Sequence, residues 1–220
     1  MNGNVTVEIY GTANIHLNFN TTGSSKLNGN LYVKFGKNGV LKSNFNNLSN
    51  LAGYLASGKT MIVDASRNKA MSEKFESTIT AAGYTFRPYI ENAPIFAGTQ
   101  IRENAETYDA RFAATIDSLD YTNIGFKISA TFEGGAKEWN VDCTKVYNAL
   151  TAIENGVTVN VTADQFEGIY IYALTVSGVP NSVGAVTFTV TPYAQKGENT
   201  INGNTYTVVC TPSANGVVVG

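Results

Sequence analysis

Over residues 109–210 the chain alternates apolar and polar residues in short runs, and a period of two gives one buried face only to an extended strand. The runs are DARFAATI, NIGFKISATF, KEWNVDC, GVTVNVTA, GIYIYALTV, AVTFTVTPY and NTYTVVC, separated by clusters of Gly, Asp, Asn and Pro. Short strands broken by turn residues at this spacing predict an antiparallel sandwich. GIYIYALTV is apolar on both faces, which predicts a central strand. CTKVYNALTA has room for one helical turn.

The first part of the chain alternates too, then changes rhythm. Val5, Val7 and Ile9 share a face, as do Ile15, Leu17 and Phe19, with His16 and Asn18 opposite. Leu31, Val33 and Phe35 follow, and then Asn38-Gly39, a two-residue hairpin signal. Leu48, Leu51, Ala52 and Leu55 form a helical stripe, with Asn46 or Asn47 to cap it and Gly58 to end it. TMIVDAS predicts a buried strand. Residues 68–82 fit both a short helix at Lys69–Ser77 and a strand at Ser77–Phe86. Pro88 and Pro94 bracket a linker. The expected architecture is mainly β. It comprises an α+β, mainly β docking domain over 1–94 and an Ig-like antiparallel β-sandwich over 95–220.

A chain of 220 residues is long enough to bury a core without metal or disulfide staples. Charged residues make up 15%, below the roughly 25% usual for soluble domains. Asn, Thr, Ser and Gly supply the polar surface instead. The net charge of −2 gives no overall case for nucleic acid. Residues 1–94 hold nine Lys/Arg and five Asp/Glu, for +4, while residues 95–220 hold six and twelve, for −6. That split fits two units with different neighbours, and equally two halves packed head to tail. No stretch approaches the roughly 18 apolar residues of a membrane span. The opening MNGNVTVEIYG has neither the basic nor the apolar region of a signal peptide.

The stretches GTQIRENAETYDARFAATIDSLDYTNIGFKIS, VYNALTA, TADQFEGIYIYALTVSGVP and FTVTPYAQKGENTINGNTYTV carry a resemblance. In their order of Ile-Arg, Arg-Phe, Gly-Phe, Tyr-Ala-Leu-Thr and Thr-Pro-Tyr, roughly residues 97–210 resemble the small Ig-like β-sandwich modules of multi-modular secreted and surface proteins of gut clostridia. Phages of gut bacteria carry such modules as well. These motifs are strand cores and turns, so the resemblance implies a fold and an exposed location, and no reaction. Residues 1–94 resemble no family. A Met-initiated chain without an export signal fits a virion protein assembled in the cytoplasm; an excised module of a longer surface protein is the other expectation.

Reactive motifs are sparse. His16, the sole histidine, alternates with Ile15 and Leu17, which points it away from a core. Nucleophilic triads need such a ring placed beside a nucleophile. The sequence has no G-x-S-x-G elbow, no C-x-x-C and no H-E-x-x-H. In DASRNKAMSEKF, Asp64, Ser66 and Asn68 match calcium-loop positions 1, 3 and 5, but Lys69 and Phe75 stand where Gly and Glu are required. The acidic residues Glu103, Glu106, Asp109, Asp117 and Asp120 show no spacing that pairs two across a cleft. Cys143 and Cys210 share faces with Val141 and Val208 and point inward. Two readings stand for them: a disulfide spanning the sandwich, or two small buried hydrophobes that stay reduced. Trp139, Tyr170, Tyr172 and Tyr193 are the candidates for stacking on a sugar ring, with burial in the core as the competing reading. No Gly-rich phosphate cradle is present, and the aromatic residues are not interleaved with basic ones.

These readings predict a non-catalytic structural or attachment protein on an outer surface, without cofactor or metal. The first expectation is a phage virion component, such as a head decoration or fibre-base protein. The alternative is a module of a bacterial cell-surface or secreted protein acting as spacer or glycan binder. Its partners would be capsid or other virion proteins, or neighbouring surface modules, with host or cell-wall glycans as further candidates. Nucleic acid and membrane are not expected.

Overall fold

A computed structural model describes residues 4–13, 26–42, 52–143, 146–148 and 170–220. The chain divides into two compact units, Met1–Ile90 and Glu91–Gly220, and is mainly β.

The first unit contains β1 (Val5–Ile9), β2 (Thr12–Ala13), β3 (Leu31–Phe35), β4 (Val40–Leu41), β5 (Met61–Asp64), α1 (Lys69–Ala81) and β6 (Thr85–Arg87). Its sheet runs β1-β3-β5-β6, every neighbouring pair parallel. Two further parallel stacks accompany it: β2 on β4, and a bridge from Leu27 to Leu55. The chain therefore winds in coils that lie on one another. Two asparagines, before β1 and before β3, join the coils at their corners. Asn30 N–H donates to Asn4 Oδ1 at 2.9 Å, 26 residues back, and Thr60 N–H donates to Asn30 Oδ1 at 3.1 Å, 30 residues back.

The period is visible in side chains once the register is known. Val5, Val7 and Ile9 lie beside Leu31, Val33 and Phe35, and Leu31 and Val33 lie beside Met61 and Val63. Apart from half-buried Val5 and Val7, which pack against it, all belong to one core with Leu41, Ala65, Met71, Phe75 and Ile79. Helix α1 contributes the i, i+4, i+8 stripe of Met71, Phe75 and Ile79, and Phe75 stacks on Phe35 at 6.0 Å. Asn68 caps its start, its Oδ1 accepting from Met71 N–H at 3.0 Å. Gly83, at φ +77, lets the chain turn out of the helix. Of the two readings of residues 68–82, the helix is correct and extends to Ala81, with only the short β6 after it.

The hairpin read from Asn38-Gly39 does not form. A turn is present, with Gly39 N–H donating to Gly36 O, but β3 does not pair with β4, which pairs with β2. Gly39 serves coil contact instead: a Cβ there would lie 2.1 Å from Ile9 O in the neighbouring coil. The strand at Ile15–Phe19 and most of the helix at Leu48–Leu55 lie outside the described residues; within them, Leu55 forms the bridge to Leu27.

Every described strand pair of the second unit is antiparallel. Its strands are β7 (Ile95–Glu103), β8 (Thr107–Ile116), β9 (Asn123–Phe132), β10 (Gly135–Asp142), β11 (Val146–Asn148), β12 (Tyr170–Pro180), β13 (Val186–Lys196), β14 (Asn199–Asn202), β15 (Tyr206–Ser213) and β16 (Gly216–Val219). One sheet runs β10-β9-β13-β15-β16, with β14 also on β13; the other runs β11-β12-β8-β7. Their inner faces share one core. Phe112 of β8 meets Phe188 of β13 at 5.2 Å, and Phe126 of β9 meets Tyr172 of β12 at 5.1 Å. This is the arrangement of a sandwich.

Six of the seven strand runs fall on strands here; GVTVNVTA lies outside the described residues. β12 sits between β11 and β8, the interior position its two apolar faces require. Within CTKVYNALTA, residues 146–148 are strand β11 where a helical turn was expected, because they extend the sheet beside β12. β7, β14 and β16 are additional strands.

Candidate functional site

A group of polar and titratable side chains in the second unit lies where the C-terminal end of β10 meets β9, β12 and β13. Tyr172 reaches through the core, its hydroxyl 3.5 Å from Gly125 O and 3.3 Å from Tyr193 O. The Tyr193 hydroxyl donates to Asp142 Oδ1. Cys143 N–H donates to Ile124 O at 2.7 Å, and its thiol lies 3.7 Å from Ala173 O. Gly125 makes this convergence feasible, since a Cβ there would lie 2.1 Å from Val141 O and 2.7 Å from Tyr193 Oη.

The electrostatics hold these groups in their protonated forms. Burial pushes the Cys143 thiol up to about 11, with the Asp142 charge adding to it. Burial alone pushes Cys210 up to about 11. Tyr172 is raised by burial above all. Tyr193 is raised by burial and then by its hydrogen bond to Asp142. A neutral thiol is a poor nucleophile and a poor metal ligand. The arrangement pins strands together; it does not activate an attacking atom.

The disulfide reading of Cys143 and Cys210 is overturned. Both cysteines are free. Cys143 lies beside Ile124, which pairs with Ala194, whereas Cys210 pairs with Val186 eight residues along the same strand β13. The two thiols sit on opposite sides of one sheet's central pair, roughly three strand spacings or about 14 Å apart laterally. A disulfide needs Cα atoms within about 7 Å.

Sugar stacking also loses two of its candidates. Tyr172 is 0% exposed and Tyr193 7%, so neither offers a ring face to a ligand. Tyr170 is half-buried against the sandwich core. Trp139 is half-buried as well, and the Lys137 ammonium sits 5.1 Å from its ring centre. His16 lies outside the described residues.

Three of the five acidic residues singled out are engaged with backbone or lysine. Asp109 Oδ1 accepts from Gly178 N–H at 2.9 Å, Glu103 Oε1 accepts from Val217 N–H at 2.7 Å, and Asp120 pairs with Lys196. Among the described residues no three His, Cys, Asp or Glu side chains gather as a metal site. In the stretch that partly matched a calcium loop, Asp64 Oδ1 accepts from Ser66 N–H and Oγ–H, and Asn68 caps α1, so it is a strand-to-helix turn.

Two residues named in the sequence take roles that the sequence reading did not give them. Asn68 is 4% exposed and donates from Nδ2 to Gly36 O at 2.8 Å and Gly39 O at 2.7 Å, besides capping the helix. Its signal was the recurrence of Asn38 and Asn68 seven residues after Leu31 and Met61. Glu103 and the crevice beside it carried no local signal, because their partners come from 70 and more residues away.

Fold and site together define a mainly β protein of two units. No protein-family model and no curated protein matches the chain. Among solved structures, the cycloalternan-degrading enzyme from Trueperella pyogenes, in complex with a covalent intermediate, is similar over 51% of this chain and 18% of its own. The identity is 8% and the TM-score 0.30, a level that supports neither fold nor function. The chain thus spans less than a fifth of that enzyme's length.

Proposed function

We propose that the chain is a non-catalytic structural or attachment protein on an outer surface, with a phage virion as its particular setting. The second unit is read as an Ig-like module that projects, and the first as the part that docks. The observation that supports this reading is the state of the reactive groups: the Cys210 thiol is buried and the Cys143 thiol half-buried against Ala173 O, burial raises both, and the Tyr172 and Tyr193 hydroxyls are engaged inside the sandwich. What such a molecule offers a partner is shaped surface. Stable attachment then requires about 1,200–2,000 Å² of total interface.

An antiserum raised against the recombinant chain tests this on density-gradient fractions of cultures that carry the sequence. Co-sedimentation with phage particles, and immunogold on intact particles, are expected. Recovery in the cell envelope would replace the virion setting with the bacterial surface. Turnover of any glycan by the purified chain would overturn the non-catalytic reading itself.

A further inference from the structure

Strand β16 forms one edge of its sheet, with β15 as its neighbour among the described residues. Val209 and Gly220 exchange both backbone hydrogen bonds: Gly220 N–H donates to Val209 O at 2.9 Å, and Val209 N–H to Gly220 O at 3.1 Å. Bonded and non-bonded pairs alternate along an antiparallel ladder. Thr211 and Val218 are therefore the next bonded pair, and the peptide groups of Val217 and Val219 point away from β15. The side chains leave this edge bare. Val218 is 60% exposed and Val219 46%, and residues 216–220 carry no charged side chain. An uncharged, exposed apolar edge is a template for a further strand.

One side chain closes that edge. Glu103, at the end of β7 in the other sheet, accepts the outward Val217 N–H on Oε1 at 2.7 Å. Gly216 admits the carboxylate, since a Cβ there would collide with Glu103 Oε1. Val217 O, Val219 N–H and Val219 O also face outward, and no hydrogen bond among the described residues uses them. We propose that the β16 edge is a strand-addition surface for the same strand of a second copy of this chain, and that Glu103 holds it shut. The segment is self-complementary. Antiparallel pairing about a twofold axis through Val218 sets Val217 of each copy opposite Val219 of the other. Val219 N–H then meets Val217 O, and Val217 N–H meets Val219 O. With Glu103 in place the second of these bonds cannot form, and an incoming carbonyl oxygen faces a carboxylate, acceptor against acceptor. The strand itself carries no charge, so two copies meet without like-charge repulsion along the seam. The carboxylate is then what keeps one sandwich from continuing into the next.

Sedimentation velocity of the full chain, from about 1 µM to 1 mM, tests this. The wild type is expected to stay monomeric. E103A uncovers Val217 N–H and is expected to dimerise at least about tenfold more tightly, with amide exchange slowed at Val217 and Val219 as the dimer forms. E103Q keeps an acceptor on that N–H through its amide oxygen and is expected to stay monomeric. V218K added to E103A sets two lysines opposite each other across the axis and is expected to restore the monomer. Glu103 and Val218 are both exposed, so the circular dichroism of every variant is expected to match the wild type. E103A that remains monomeric with a native spectrum would overturn the proposal, and a wild-type dimer would overturn the role of Glu103. A dimer that persists in E103A/V218K would overturn the assignment of the contact to β16.

Discussion

Two core tyrosines of the sandwich differ in what their hydroxyls do. Tyr108 Oη is buried without a partner among the described residues, and burial pushes its phenol up to about 12. Tyr172 Oη bridges Gly125 O and Tyr193 O. Removing an unpartnered hydroxyl relieves a desolvation cost, whereas removing a bridging one strands its acceptors. Y108F is therefore expected to be neutral or to stabilise by up to about 1–3 kcal/mol, and Y172F to destabilise by about 0.5–1.5 kcal/mol. Urea midpoints of the two variants decide the matter. The thiols give a pH signature. Both are raised from 9.0 to about 11, so the unfolded chain releases these protons first. Their contribution to stability is complete below about pH 9 and is lost as pH climbs towards 11. The urea midpoint should hold from pH 7 to 9 and then fall. In C143A/C210A the fall should begin about one pH unit later, where the tyrosines take over. A disulfide would instead show as a change in midpoint on reduction at pH 7, which is not expected.

At the scale of elements, the coil corner around Asn68 concentrates three hydrogen bonds in one side chain. N68D keeps the acceptor for Met71 N–H but gives up the donors to Gly36 O and Gly39 O, while N68A gives up all three. N68A is expected to cost about 2–4 kcal/mol, and N68D at least as much at neutral pH because its second carboxylate oxygen meets two carbonyl oxygens in a buried site, read from urea unfolding by far-ultraviolet circular dichroism. The same corner explains what could and could not be read beforehand. Leu31, Val33 and Phe35 announced a strand with one buried face, and β3 is that strand. Alternation says nothing about the direction of the neighbour, so Asn38-Gly39 was read as a hairpin although Gly39 is there to let Ile9 O approach. Cys143 and Cys210 were placed inward from their alternation with Val141 and Val208, but their separation depends on which strands intervene. That order, β10-β9-β13-β15, is a long-range property. β7 was passed over because it begins directly after the Pro88–Pro94 stretch and its residues are half-buried or exposed, which blunts the alternation. Glu103 and Asn181 meet at one crevice only through the packing of three turns, and no local spacing encodes that.

For the whole molecule, the boundary between Ile90 and Glu91 makes a prediction about autonomy. Tyr121 Oη donates to Asn92 O at 2.9 Å, and Gly203 brings its backbone against Pro94 O, so the first residues of the second unit are fastened to their own sandwich. A fragment of residues 91–220 is expected to fold alone, with one cooperative melting transition and dispersed amide resonances. A broad, non-cooperative melt would show that the sandwich depends on the first 90 residues.

The first unit follows a different rule of construction. Among the described residues, each turn of its spiral is joined to the next through Asn4, Asn30 and the parallel rungs between strands. Stability in such an object accrues rung by rung. Insertion of one further winding of about 28 residues, with its own corner asparagine, would lengthen the ribbon without rearranging the windings already there. The sandwich has no such freedom, since an added strand must find room in a closed interior. Variation in reach is therefore far easier to build into the spiral than into its companion.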